Sequence, residues 1–489
     1  MTGKARKASF LCAVVLVGVL PTHGQGGERL FDPRTLRPSE EIVTPHIAWA
    51  KPAEEGVLRV LFVITQPRMR EVVELSQRMD LDYSVFAVPR SGRSFNMPPL
   101  TETSFREDLE AKLAAMPQVI VVAVEKWTDL SLFQRYRVLK TVKGGVPLVT
   151  LEKGSDTYLT QAARHTVPVT LRALLPIGGL PAYSEYPAYD DFVRGTAEAS
   201  TFGASTIHRL RSFEAAPPQI LTPGRLDDSL DPAFGEYDRY LLHVIQILRH
   251  VAGVSPSCRL LPAGSATLSR DEPMSLTVAL QAQSPLEEAV VELTLRTPRN
   301  VVIHQKATPR RLRGGRSEVS FRLPSVAAGT YFADIRLLVA GKVADAGSRH
   351  IVVTSPFGIA SLEVSNELGV ADAVTGRVLL EGAVPAGAHL RISQVDTYGR
   401  RTARIDVPVA KAADVRFQLP AGEPLTIVQR LSCELVVDGQ AVDVTRAAFS
   451  LHDLHPDPDA FRYVLWGLSH VSSRSYLAVP AFETFREYG

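Results

Sequence analysis

The sequence predicts a multidomain chain: an open α/β domain built on a parallel sheet, then two all-β sandwiches, then the start of a further α/β unit. Three observations predict it. The 489 residues, at about 150 per domain, call for roughly three separate cores. Between residues 56 and 254, short apolar runs alternate with segments of helical spacing. After Val254 the apolar spacing drops to two, the period of half-buried strands.

Residues 1–24 read as a secretory signal peptide, with Lys4, Arg6 and Lys7 ahead of an apolar run over 10–20. That run falls short of the ~20 residues that cross a bilayer, and no later segment reaches such a length. The expectation is therefore an exported protein, periplasmic or extracellular, with no membrane span after signal removal. Residues 25–55 form a lead-in containing Pro and Glu.

Within 56–254, residues 58–65 are a nearly continuous apolar run, as a strand covered on both faces requires. Val72, Val73, Leu75 and Met79 recur at helical spacing after Pro67. Further strands are expected at 83–88, 118–124 and 146–151, and helices at 105–116 and from a cap at Thr128 or Asp129 to Val142, where Gly144 and Gly145 stop it. Periodicity is poor from 167 to 235. An amphipathic helix then spans 237–251, with Tyr240, Leu241, Val244, Ile245, Ile247 and Leu248 on its apolar face, packing back on the sheet.

The first sandwich, 255–354, has alternating strands at 275–280, 290–295, 318–323 and 331–339. The second, 355–451, has strands at 376–381, 389–393, 415–419 and 431–437, with Asp438-Gly439 as a hairpin turn. Residues 452–489 read as a linker and the first strand and helix of a further domain that the chain does not complete, such as a (β/α) barrel.

The charge balance is 54 basic against 52 acidic residues, a net +2, with 22% charged and 45% hydrophobic residues. These are globular values, which exclude disordered and fibrous classes. A nucleic-acid binder would show a basic excess that is absent here. Once the signal is removed only Cys258 and Cys433 remain, 175 residues apart. An oxidising compartment allows a disulfide, but their placement in different modules favours two separately buried thiols.

The Gly-Gly stop followed by Val146-Pro147-Leu148-Val149 and a turn resembles the class I glutamine amidotransferase-like fold over about residues 56–254. The resemblance implies a nucleophile elbow after that strand, with a cysteine between small residues. The family pattern places Glu152 at the cysteine position and Gly154 at the closing glycine. No cysteine lies between Gln25 and Ser257, so thioester chemistry has no nucleophile, and His165 and His208 have nothing to activate. The step Gly329-Thr330-Tyr331 resembles fibronectin type III and immunoglobulin-like modules. The domain order as a whole resembles the accessory front half of secreted bacterial glycoside-hydrolase-like proteins. That resemblance implies a carbohydrate context while placing the catalytic carboxylate pair on barrel strands beyond this chain.

Three groups of residues are candidates for a site, and each has a plainer reading. Glu152 sits where open α/β sheets bind ligands, or it caps the following turn. Tyr183, Glu185, Tyr186, Tyr189 and Asp190 have the composition of a sugar-binding rim, or of an interdomain contact. His452, Asp453 and His455 have imidazole and carboxylate donors for a metal, although Pro456 and Pro458 suit an extended linker. No cofactor is expected. The function these features point to is an exported, non-catalytic binding or scaffolding protein in polysaccharide processing, with a carbohydrate or cell-envelope partner. Two alternatives stand beside it: a hydrolase using Glu152 or Asp156, or one whose catalytic domain is missing here, and a structural cell-envelope protein.

Overall fold

A computed structural model describes residues 46–65, 69–88, 102–124, 127–152, 166–169, 197–211, 233–261, 263–298, 300–365, 367–369, 372–396, 399–409, 413–420, 422 and 428–452. The α/β domain contains strands β1 (Leu58–Thr65), β2 (Leu81–Val88), β3 (Val119–Ala123), β4 (Leu148–Glu152), β5 (Thr166–Val169), β6 (Ala197–Phe202) and β7 (Ser205–Arg211). Its helices are α1 (Met69–Arg78), α2 (Glu102–Ala114), α3 (Leu132–Lys143) and α4 (Ala233–Val251). They build one sheet in the order β2-β1-β3-β4-β7-β6-β5. The first five are parallel, and β6 turns back antiparallel to both β7 and β5.

Both faces of this sheet are covered, which is why β1 reads as a continuous apolar run. Val60, Phe62 and Ile64 point to the side of α1 and α4, where Trp49, Leu75, Tyr240, Leu241 and Val244 fill the core. Leu61 and Val63 point to the opposite side, against Leu109 of α2 and Val138 and Val142 of α3. The helix cap differs from the sequence expectation. Trp127–Asp129 forms a short 3-10 turn, and Ser131 caps α3 instead. Its hydroxyl accepts the Gln134 amide at 3.3 Å while the Gln134 side chain accepts the Ser131 amide at 2.9 Å. This reciprocal pair satisfies two orphan donors at once, which Thr128 or Asp129 alone would not do. The fifth parallel strand, β7, falls in the stretch of poor periodicity, where its alternating Ser, Thr, His and Arg hide the apolar Ile207 and Leu210.

Two β-sandwiches follow. The first comprises β8 (Cys258–Leu260), β9 (Ala266–Ser269), β10 (Ser275–Ala282), β11 (Leu286–Arg296), β12 (Val302–Leu312), β13 (Gly315–Arg322), β14 (Gly329–Val339) and β15 (Lys342–Thr354). The second comprises β16 (Gly358–Val364), β17 (Glu367–Gly369), β18 (Val374–Glu381), β19 (His389–Asp396), β20 (Arg401–Pro408), β21 (Asp414–Leu419), β22 (Val428–Val437) and β23 (Gln440–His452). Each has a three-stranded and a five-stranded sheet closed over one apolar core.

The two sandwiches share one pairing scheme. Sheets β13-β10-β8 and β12-β11-β14-β15-β9 correspond to β21-β18-β16 and β20-β19-β22-β23-β17. In both, the final strand pairs parallel with a short early strand, β15 with β9 and β23 with β17. Both final hairpins turn through two residues of positive φ, Ala340-Gly341 and Asp438-Gly439. A carboxylate tie repeats as well, made by the buried Asp345 and the half-buried Asp443. Asp345 accepts the Leu260 amide at 2.8 Å, and Asp443 at the equivalent position accepts the Ile359 amide at 2.7 Å, so each ties the first strand of its sandwich to the last. Arg270 joins the modules, donating to the Val326 carbonyl at 2.6 Å and to the Ala441 carbonyl at 3.0 Å.

Among the described residues no helix is long and apolar enough to cross a membrane. The predicted signal peptide, most of the lead-in and residues 453–489 lie outside the described residues.

Candidate functional site

Parallel sheets of this type bind ligands beyond the carboxyl ends of their strands, at the point where strand order reverses. Here that point lies between β1 and β3. Thr65 ends β1 there, buried, with a hydroxyl that has no hydrogen-bond partner among the described residues. Val124, Trp127 and Leu130, all buried, follow β3. Glu152 is the last residue of β4 on the same edge, its backbone in register with Arg211 of β7. The Glu152 side chain lies outside the described residues, as do Asp156, His165, Tyr183, Glu185, Tyr186, Tyr189, Asp190, Asp453 and His455. His452 closes β23, its backbone paired with Gly369. No group of three or more His, Cys, Asp or Glu gathers as a metal site among the described residues.

His208 of β7 faces α4, its ring 6.3 Å from that of His250, and its Nε2 lies 3.0 Å from the Thr206 hydroxyl. Burial, reinforced by His250, pushes it down to about 4. It is therefore neutral near pH 7. The two cysteines are free and sit in separate sandwich cores. Burial pushes the Cys258 thiol up to about 11 and the Cys433 thiol up to about 12, so neither supplies a thiolate nucleophile.

The densest chemistry in the described structure lies where α4 meets the first sandwich. One flank of α4 packs on the parallel sheet, as its apolar spacing predicts. The other flank, carrying the buried Arg239, His243 and Arg249 and the half-buried Gln246, is covered as well, because the outer face of the β11-β14-β15 sheet lies over it. A helix packed on both sides places its polar residues in the interior, and these must find partners there.

They do so through a chain of ion pairs. Arg78, the last residue of α1, meets Glu74 at 2.5 Å and Asp238 of α4 at 2.6 Å. Asp238 meets Arg296 of β11 at 2.9 Å, and Arg296 meets Asp334 of β14 at 2.5 Å. Arg239 closes the chain on Asp334 at 3.3 Å and donates to the Ser348 hydroxyl at 3.1 Å, which itself donates to Asp334 at 2.6 Å. Three arginines face Glu74, Asp238 and Asp334, so the charges cancel. Burial alone would raise the Asp238 carboxyl, but Arg78 and Arg296 outweigh it and hold it down at about 2. Burial likewise works against the charge on Arg78 and Arg296, yet their carboxylate partners keep both above the ordinary guanidinium value. Arg239 also lies over the Phe332 ring at 3.3 Å, and Arg296 over Trp49 at 5.8 Å.

The lead-in braces the same boundary. Ala50 bridges to Met79 in the α/β domain and Ala53 to Val343 in the sandwich. Trp49 is fully buried, and Glu55 pairs with Arg249 at 2.5 Å. Sequence reasoning missed this cluster. The available signal was the adjacent pair Asp238-Arg239 inside an apolar helix, together with Arg296 and Asp334 within apolar strands.

No protein-family model matches the chain, and comparison with curated proteins finds no match. Among solved structures, the C-terminal domain of wzt is similar at 13% identity and a TM-score of 0.18, covering 20% of this chain and 75% of that one. Red sea bream transglutaminase is similar at 13% identity and a TM-score of 0.21, covering 42% of this chain and 33% of that one. At these scores neither similarity carries an argument about function.

Proposed function

We propose that this chain is an exported, non-catalytic binding or scaffolding protein that works in polysaccharide processing. The observation that carries the reading is the buried chain of ion pairs from Arg78 to Arg239, which fastens the α/β domain to the first sandwich. Charge-neutral, water-excluded joints of this kind hold domains in one relative orientation, which suits a presenting surface better than a hinged active site. The strand order β2-β1-β3-β4-β7 supports a flavodoxin- or amidotransferase-like domain, and the matched pairing of the sandwiches supports tandem immunoglobulin- or fibronectin-III-like modules. With Glu152 standing at the position of the family's cysteine, such a domain has lost its nucleophile and keeps its framework.

Affinity electrophoresis of the purified chain through gels containing a panel of polysaccharides tests the proposal. Retardation by at least one polysaccharide is expected, and free migration through all of them sinks it. The enzyme reading is favoured by one observation, the location of Glu152 at the carboxyl edge of the sheet. Hydrolysis of any polysaccharide by the purified chain would overturn the non-catalytic reading, and loss of that turnover in Glu152→Gln would assign it to Glu152.

A further inference from the structure

Residues 302–322 hold Lys306, Arg310, Arg311, Arg313, Arg316 and Arg322 against a single acid, Glu318, in a chain whose net charge is only +2. They span β12 and β13, consecutive strands in opposite sheets of the first sandwich, and β12 is the outer edge of the five-stranded sheet, paired among the described residues with β11 alone. Lys306, Arg310 and Arg313 form no ion pair among the described residues. Arg311 meets Glu287 at 3.3 Å with the two side chains 85% and 79% exposed, and Arg316 meets Glu318 at 3.2 Å, also in the open. Exposed pairs of this kind neutralise little.

Charged residues on an edge strand have an ordinary role, which is to block pairing with other chains. One or two suffice for that role. Protection also does not explain why Val302 and Ile303 stand 50% and 41% exposed on the same strand. The corresponding edge of the second sandwich, β20, carries Arg401 and Arg404 together with Asp406, which meets Arg404 at 3.0 Å, so the uncompensated basic edge belongs to the first sandwich.

We propose that the β12–β13 segment binds an acidic polysaccharide, one bearing carboxylate or sulfate groups along a repeating chain. This names the substrate class within the polysaccharide reading above and rests on it. Lys306 and Arg310 lie on one side of the strand, four residues and about 13 Å apart, which is the reach of a polymer and not of a single small anion. Arginine forks grip planar oxyanions through paired hydrogen bonds, and the exposed apolar pair offers cover for the C–H face of a sugar ring. Because the cations face water, the binding is salt-sensitive.

The test is affinity electrophoresis of the full chain in gels containing polygalacturonate, heparin or a neutral glucan, with binding to double-stranded DNA and anionic phospholipid vesicles measured alongside. Polygalacturonate or heparin retards the chain, and added salt relieves the retardation. The combined variant Lys306→Ser, Arg310→Ser, Arg313→Ser loses at least tenfold in apparent affinity, whereas Lys140→Ser, exposed on α3 of the α/β domain, does not. An unchanged melting temperature shows that the variant is folded, and Arg310→Ser alone, losing a smaller part of the affinity, serves if it is not. Retardation by the neutral glucan alone overturns this inference and leaves the polysaccharide reading standing. No retardation by any of the three overturns both. Equal affinity for DNA or vesicles, or full retention of affinity by the folded variant, overturns the assignment of this segment to an acidic polysaccharide.

Discussion

Arg239 of helix α4 and Asp334 of strand β14 meet at 3.3 Å across the boundary between the α/β domain and the first sandwich, both side chains shut off from water. Asp334 also holds Arg296, so one carboxylate serves two buried guanidinium groups. A buried ion pair adds little net stability compared with a well-packed apolar pair, but removing one partner leaves an uncompensated charge.

Asp334→Ala therefore destabilises the protein by about 3–5 kcal/mol. The double variant Asp334→Leu, Arg239→Met costs less than the sum of its single changes, because it removes charge from both sides. Denaturant midpoints for the four proteins of the cycle measure the difference. Strict additivity would show that the pair does not couple the domains.

Stability falls as pH drops from about 6.5 towards 4. Burial pushes His208 and His350 down to about 4 and His243 down to about 3, so the unfolded chain takes up protons in this window while the folded chain refuses them. Their contribution is complete above the ordinary histidine value and is lost as pH falls through the folded values. Asp345, raised by burial, works in the opposite direction near the ordinary carboxyl value. Melting temperatures across this range report the net slope, and His350→Gln makes it shallower. A flat profile would contradict the burial of the imidazoles.

Thiol reagents at neutral pH leave Cys258 and Cys433 unmodified in the folded protein and label both once it is unfolded. Each thiol is buried and pushed up, to about 11 and about 12 respectively. Rapid native labelling at either position would show that its sandwich core opens.

Gly376→Ala destabilises the second sandwich. A Cβ on Gly376 would meet the Phe417 ring and come within 2.6 Å of the Glu363 carbonyl oxygen. The ring can swing aside, but the carbonyl belongs to the neighbouring strand β16, so the β16-β18-β21 sheet must open. A loss of at least 1 kcal/mol, read from the thermal midpoint, is expected.

Much of the local structure was legible because it depends on short-range pattern. The apolar run of β1 announces a strand covered on both faces, and Asp438-Gly439 announces a two-residue hairpin turn, which its positive φ angles bear out. β7 and β12 were illegible for one shared reason. β7 carries Ser, Thr, His and Arg where a pattern reader looks for apolar residues, and β12 is exposed along nearly its whole length, so neither has an apolar period to detect. The candidate residues Glu152, Tyr183 and His452 were chosen by residue type and position. Of these, only the backbones of Glu152 and His452 can be placed, each at the end of a strand.

The sequence by itself determined the succession of an α/β domain and two β modules, the absence of a cysteine nucleophile from the first, and the apolar stripe by which α4 packs on the sheet. Only the tertiary structure decided that the other flank of α4 is also buried, and that Arg78, Asp238, Arg239, Arg296 and Asp334 form a single neutral cluster. The physical reason is that periodicity reports which side of an element avoids water, a property of neighbours three or four residues apart. A charge is made tolerable in an interior only by a counter-charge brought from far along the chain.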